Sequence, residues 1–374
     1  MRLAVVSTVR GYSWAGSEEL WLGAALEALR EGAGVTASLH ADLHAGEPLE
    51  SFREKGGELR KWRTFPIARL ARIQERLQPN FTYKGLGNPD HALISTGSLP
   101  SLLNVPGLLP FLTKERVPFT LLVQFNADCL PVSPAERRLV GKVLQSAANL
   151  VFVSRHNLHL AERQFNLNLA EKATVIYNPI RTIADTPVQL RKAEGIRLAC
   201  VARFETLWKA QDLLVEIMSN PPWRQRPVLL RFYGEGPDKG HVEALAERLR
   251  NDRVEFPGYV RDLGTLWSDN DAMVLPSRGE GTPLAALEAM MCGRPVITTD
   301  VGGNGEVIED GVHGYLADAA TPRSFAATLE RAWNDRDRWP EIGAAAHRRA
   351  HEIAAAQPLQ QLWQLLQTAS PTKD

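Results

Sequence analysis

The sequence predicts an α/β protein of two domains, each built on a parallel β-sheet with helices against its faces. Three observations predict it. Short apolar runs of strand length alternate with helical patterns along the whole chain, the signature of strands joined by crossover helices. At 374 residues the chain is long for one core, and chains of this length divide into two domains of ordinary size. Between two stretches of this alternation lies NPIRTIADTPVQLRKAEG, residues 178–195, with the two prolines and mixed charge of a linker. The domains are therefore expected at residues 1–178 and 195–350.

In the first domain, LAVVST reads as a buried strand, because the run is too short for the apolar segment of a secretory signal and no cleavage site follows it. A helix is expected over residues 18–30, with Leu20, Leu22, Ala25, Leu26 and Leu29 facing inward. HALIST, FTLLVQF, NLVFVS and ATVIYN read as further strands. Residues 92–113 carry no charge, yet Pro100, Pro106 and Pro110 would break a spanning helix, so the stretch reads as core strands and turns. The second domain restarts the rhythm with IRLACVARF, PVLLRFYG, RVEFPGYV, DAMVLPS and RPVITTD. In the tail, Leu359, Leu362, Leu365 and Leu366 at helical spacing predict a helix over 352–369 that needs a surface to cover.

Composition narrows the function. At 44% hydrophobic and 23% charged the chain is globular. Lys plus Arg and Asp plus Glu both number 43, so no excess of positive charge points to nucleic acid. Cys129, Cys200 and Cys292 lie far apart without metal-ligand spacing, and an odd count makes no disulfide framework, so a reducing cytoplasm fits best.

A doubly wound sheet binds its ligand beyond the C-terminal ends of its strands, so chemistry is expected there. The densest stretch is PSRGEGTPLAALEAMMCGRPVITTD, residues 276–300, with Glu280 in a turn and Glu288 eight positions on in the following helix. Thr282 and Pro283 read as a helix start, a hydroxyl cap and then a proline where its missing N–H costs nothing. The amides of Leu284 and Ala285, with the helix dipole, would then suit a phosphate. Carboxylates accept hydrogen bonds from hydroxyls, so Glu280 and Glu288 on either side suggest a ligand with hydroxyls at both ends of its phosphates, as in a nucleotide sugar. Taken alone, a capped helix with two solvated glutamates explains this stretch equally well. Other strand ends add to it. Arg203 and Lys209 follow RLACVARF, Gly234 and Gly236 of GEGP follow PVLLRFY, and Gly302, Gly303 and Glu306 follow VITTD. Each is ordinary by itself, but four in one domain make coincidence the poorer account.

Glu280 and Glu288 with seven residues between them, CGRPVI, GGNGEVIEDGVHG, GEGP and VARFETLWKAQDLL together resemble the retaining GT-B glycosyltransferases of family 4. The resemblance is dense from residue 197 to 318 and thin across the first domain, where NLVFVSRHNL and VIYNPI still fit. It implies two facing Rossmann-like domains with a cleft between them, the donor held mainly by the second, and a last helix that crosses back to the first. It implies that Arg203 and Lys209 bind the donor diphosphate and that Glu280 lies near the donor sugar. The backbone of Gly281, Thr282, Pro283 and Leu284 would contact sugar and phosphate, Glu288 the ribose hydroxyls, and the backbone of Tyr259 and Val260 the base. Gly234 belongs to the same donor site, and Gly16 of WAGSEE matches the glycine loop after the first strand, with Ala15 where a second glycine is common. Where the family often has a histidine facing the reacting sugar, the nearest residue is Gln124, which can hydrogen-bond a sugar hydroxyl but cannot exchange a proton near neutral pH. An ordinary strand-end role for Gln124 stays open.

The implied protein is a cytoplasmic retaining hexosyltransferase that moves a sugar from a nucleoside diphosphate donor to an acceptor hydroxyl, lipid-linked or in glycan assembly. No Asp-x-Asp pair reads as a metal site and the family works without metal, so no cofactor is expected. Residues 53–76 hold eight basic residues against three glutamates, and Leu70, Ile73 and Leu77 share a helical face. Such a helix, beside Trp62 and Phe65, suits contact with anionic lipid at the inner face of the membrane, although packing on its own sheet is the favoured reading. Two other functions stay open: an inactive nucleotide-sugar-binding protein, which Gln124 favours, and a sugar-nucleotide epimerase of the same fold.

Overall fold

The computed structural model describes residues 1–11, 14–44, 46–62, 86, 88–105, 107–114, 117–180, 184–190 and 194–369. The predicted basic helix around Leu70 to Leu77 lies outside these residues. The chain packs into two units, one of Met1–Asn126, Leu130–Pro179 and Gln357–Asp374, the other of Ala127–Cys129 and Ile180–Ala356.

In the first unit the described strands are β1 (Arg2–Ser7), β2 (Gly34–His40), β3 (Glu58–Trp62), β4 (His91–Thr96), β5 (Phe119–Val123), β6 (Asn149–Phe152) and β7 (Ala173–Val175). They form one parallel sheet in the order β3-β2-β1-β4-β5-β6-β7. Successive side chains of a strand point to opposite faces, so the apolar runs feed two cores. Val5, Leu93, Leu122 and Val151 join Trp21 on one face, while Val6, Ile94, Leu121 and Phe152 build the other. The helices are α1 (Glu18–Arg30), α2 (Gly46–Glu54), α3 (Leu108–Lys114), α4 (Pro134–Ser146) and α5 (Arg155–Phe165). A capping box starts α4, with Ser133 accepting from the Glu136 amide and Glu136 accepting from that of Ser133.

The second unit holds β8 (Ile196–Val201), β9 (Val228–Tyr233), β10 (Val254–Gly258), β11 (Ala272–Leu275), β12 (Val296–Thr299) and β13 (Gly314–Ala317). Their parallel sheet runs β10-β9-β8-β11-β12-β13, so the order reverses between β8 and β11. Its helices are α6 (Thr206–Lys209), α7 (Gln211–Met218), α8 (Lys239–Arg248), α9 (Leu263–Ser268), α10 (Leu284–Met291), α11 (Asn304–Val307), α12 (Pro322–Asn334) and α13 (Trp339–Ala354).

The single helix expected over 352–369 is two elements. α13 runs through Ala354, Gln357 adopts a left-handed conformation (φ 51°), and α14 (Pro358–Thr368) begins at a proline, whose ring and missing N–H stop the earlier helix from continuing. α14 packs on α1 in the first unit, where Leu362, Trp363 and Leu366 are buried. The contact is close at Gly23, where a Cβ would lie 2.4 Å from Leu359. Trp363 Nε1 and Gln367 Nε2 both donate to Glu31 Oε2 at 2.9 Å.

Candidate functional site

Because the strand order of the second sheet reverses between β8 and β11, the carboxyl ends of these two strands flank its natural ligand crevice. Arg203 and Lys209 follow β8, and Glu280 follows β11. Lys209 Nζ lies 2.6 Å from Glu280 Oε1. The Ser277 hydroxyl donates to the same oxygen at 2.6 Å. Glu280 is only 8% exposed, and a carboxylate is tolerated at that depth when an ammonium and hydrogen bonds replace its water. Arg203 Nε lies 3.2 Å from Glu205 Oε1.

The two loops are fastened to each other and to their neighbours by backbone contacts. The Arg278 amide donates to Trp208 O at 2.7 Å and its guanidinium to Thr206 O at 2.6 Å. Asp238, at the end of GEGPD, accepts from the Thr206 amide (2.7 Å) and hydroxyl (2.9 Å), which hold its carboxyl below the ordinary range. Gly234 (φ 134°) makes room for protein backbone, since a Cβ there would lie 2.2 Å from Ala202 O. Gly302 (φ 55°) plays the same part beside Glu280, whose carbonyl would lie 2.2 Å from a Cβ, and the Gly303 amide donates to Gly281 O at 2.9 Å. The glycines therefore set the backbone of the Arg203 and Glu280 loops.

α10 begins one residue later than the sequence suggests. Pro283 (φ −80°, ψ 73°) is the centre of an inverse γ-turn in which the Leu284 amide donates to Thr282 O at 2.9 Å. Pro283 is thus the residue that flanks the helix instead of opening it, and the Leu284 amide is committed to the turn. The amides that open the helix are those of Ala285 and Ala286. Glu288 is half-buried inside α10. Tyr259, 69% exposed, and Val260 follow directly after β10.

In the first unit, Gln124 is buried at the end of β5, its amide N–H bonded to Thr96 O (2.8 Å) and its Oε1 accepting from Asn178 Nδ2 (2.9 Å). Gly16 lies in the turn that opens α1, where its carbonyl accepts from the Glu19 amide at 3.3 Å. Sequence reasoning missed Glu18 beside it. This carboxyl is fully buried, accepts from Trp21 Nε1 at 2.8 Å and is pushed up to about 7 by burial. Ser277, Arg278 and Asp238 were missed as well, because nothing in one sequence separates a serine or aspartate that fixes a loop from one on a wet surface. The Asp-x-Asp spacing at Asp269 and Asp271 sits before β11, at the opposite end of the strand from Glu280. Asp271 there accepts from the Arg197 amide at 2.7 Å.

Residues 195–335 match the family described as Glycosyl transferases group 1. The D-inositol 3-phosphate glycosyltransferase of Kineococcus radiotolerans is 33% identical over 224 residues, 51% of either chain. The N-acetyl-alpha-D-glucosaminyl L-malate synthase of Bacillus anthracis is 31% identical over 170 residues, 44% of either chain. The second half of the chain is thus similar to the group 1 glycosyltransferases. The chain spans about half the length of the curated relatives it matches. Its fold is shared with Alr3699/HepE of Anabaena, solved with UDP and glucose (TM-score 0.72, 18% identity, 98% of this chain and 99% of that one). It is shared also with the sucrose-phosphate synthase of Thermosynechococcus elongatus (TM-score 0.74, 18% identity, 99% and 100%). Among the described residues no helix is long and apolar enough to cross a membrane.

Proposed function

We propose that the chain is a metal-independent retaining hexosyltransferase that moves a sugar from a nucleoside diphosphate donor to an acceptor hydroxyl. The observation that carries this reading is the Lys209–Glu280 pair at the switch point of the second sheet, with Arg203 on the adjoining loop. Arg203 and Lys209 supply fixed positive charge for the diphosphate, and that charge matters most as the bond to the sugar stretches and the leaving group becomes more negative. Glu280 then faces the donor sugar, with the backbone of residues 281–284 along sugar and phosphate. Glu288 takes the ribose hydroxyls, and the backbone of Tyr259 and Val260 takes the base. Gln124 holds a sugar hydroxyl. The UDP and glucose in the Anabaena protein of the same fold, and the sugar-transferring names of the relatives, support a nucleotide-sugar donor.

The test is steady-state consumption of UDP-, GDP- and ADP-sugars by the wild type, with and without excess chelator, and by Arg203→Ala and Lys209→Ala. Each substitution is expected to lower kcat/KM by about thirty- to a thousandfold, roughly 2–4 kcal/mol of transition-state stabilisation, with the circular dichroism spectrum unchanged. Chelator is expected to leave the rate unchanged. Loss of activity with chelator, or near-wild-type rates in both folded variants, would remove the phosphate-clamp assignment.

A further inference from the structure

Ser277 lies two residues beyond β11 with its side chain fully buried. Its carbonyl accepts from the Thr299 hydroxyl at the end of β12, so the serine is fixed to the sheet behind it. Its own hydroxyl points the other way, to Glu280 Oε1 at 2.6 Å. Ser277 and Lys209 thus both donate to that oxygen, and they differ in kind. Lys209 Nζ brings a charge on a flexible stem that another anion can attract, whereas the serine hydroxyl is neutral, short and locked in place.

We infer that Ser277 is a positioning residue, whose hydroxyl holds the Glu280 carboxylate against the donor sugar while the charge of Lys209 is drawn to the leaving diphosphate. The inference rests on the functional reading above, in which Lys209 serves the phosphates. When a diphosphate arrives, the ammonium is shared between it and Glu280, and the ion pair weakens. The neutral hydroxyl has no comparable attraction to phosphate, so its bond to Oε1 persists. Without it, a carboxylate oxygen buried among protein atoms would lose its steady donor when the other is diverted. The carboxylate would then follow Lys209 more readily, and geometry at the reacting sugar would be lost. Because Oε1 is held from one side by the sheet and from the other by α6, the position of this oxygen is set before any ligand binds.

The experiment compares wild type, Ser277→Ala, Ser277→Thr, Glu280→Ala and the double variant Ser277→Ala/Glu280→Ala. The readouts are kcat and KM for the donor sugar and Kd for UDP, GDP and ADP by calorimetry. Ser277→Ala is expected to lower kcat about ten- to a hundredfold, the scale of one hydrogen bond to a charged group, while Kd for the preferred nucleoside diphosphate moves less than about threefold. Ser277→Thr, which keeps the hydroxyl, is expected to recover most of the loss. Since Ser277 acts through Glu280, adding Ser277→Ala to Glu280→Ala is expected to cost less than about twofold more. Wild-type kcat in Ser277→Ala overturns the proposal alone. So does an equal loss in kcat and nucleotide affinity, or a double variant whose losses simply multiply. A wild type that neither binds nucleoside diphosphates nor consumes any donor overturns the functional reading itself, and the proposal with it.

Discussion

Glu18 shows how much a single buried group can govern in this chain. Its carboxyl lies at the first position of α1 with Ser7, Ser17 and Trp21 as hydrogen-bond partners, and burial outweighs them, pushing it up from 4.5 to about 7. The folded state therefore keeps a proton that the unfolded chain has already released. Its contribution to stability is fully present below about pH 4.5 and is lost as pH rises to about 7, on the order of 3 kcal/mol in all. Glu18→Gln cannot ionise, so the gap in stability between pH 5 and pH 8 is expected to narrow in that variant. Calorimetric scans at both values check this, and an unchanged gap would assign the titration elsewhere. Arg203, Lys209 and Glu280 were legible in the sequence because charged residues at strand ends, in a fixed order with glycines, form a pattern. Glu18 and Ser277 were not legible, since what distinguishes them is the absence of water around them, which no spacing records.

Among the elements, strands with continuous apolar runs were the legible ones, because both of their faces are covered. β3 (ELRKW) escaped notice because its mostly exposed, charged side chains break the apolar run, and β13 (GYLA) because four residues make too short a run to stand out. β2 escaped because small and polar residues, Thr36, Ala37 and Ser38, fill its centre. The start of α10 was misjudged by one residue because a proline after a threonine fits a helix start and an inverse γ-turn equally well, and only the ψ of Pro283 separates the two. The loop after β12 offers a test at this scale. Gly302→Ala places a methyl group against the Glu280 carbonyl on a backbone that L-residues avoid. It is expected to cost roughly 1–3 kcal/mol in urea unfolding, and to lower donor turnover by about a hundredfold through displacement of Glu280. Full turnover in this variant would show that the Glu280 loop tolerates movement.

At the scale of the whole chain, the units part at Pro179 and Ile180, and residues 184–190 of the stretch read as a linker bond to the second unit, where the Val188 amide donates to Cys292 O at 3.1 Å and the Val188 carbonyl accepts from Arg294 at 2.6 Å. The resemblance implied that the tail returns to the first unit; that α1 is the surface it covers follows from Gly23 and Glu31, which no periodicity singles out. Deleting residues 357–374 removes Leu362, Trp363 and Leu366 from the first core, a loss of roughly 5 kcal/mol of apolar burial. That matches the lower end of an ordinary domain's stability. The deletion is expected to unfold the first unit at lower urea than the second, while UDP still raises the melting temperature of the second. A single transition at the wild-type midpoint would show α14 to be dispensable. The position of α14 also bears on how the protein is born. A ribosome releases the N-terminal unit first, yet that unit lacks its last core helix until the C-terminal residues emerge, so the earlier-made half must wait, with the face of α1 uncovered, for the later-made half to be finished. For that interval the face of α1 around Gly23 stands open to chaperones, and slowing translation through residues 180–356 would prolong the exposure.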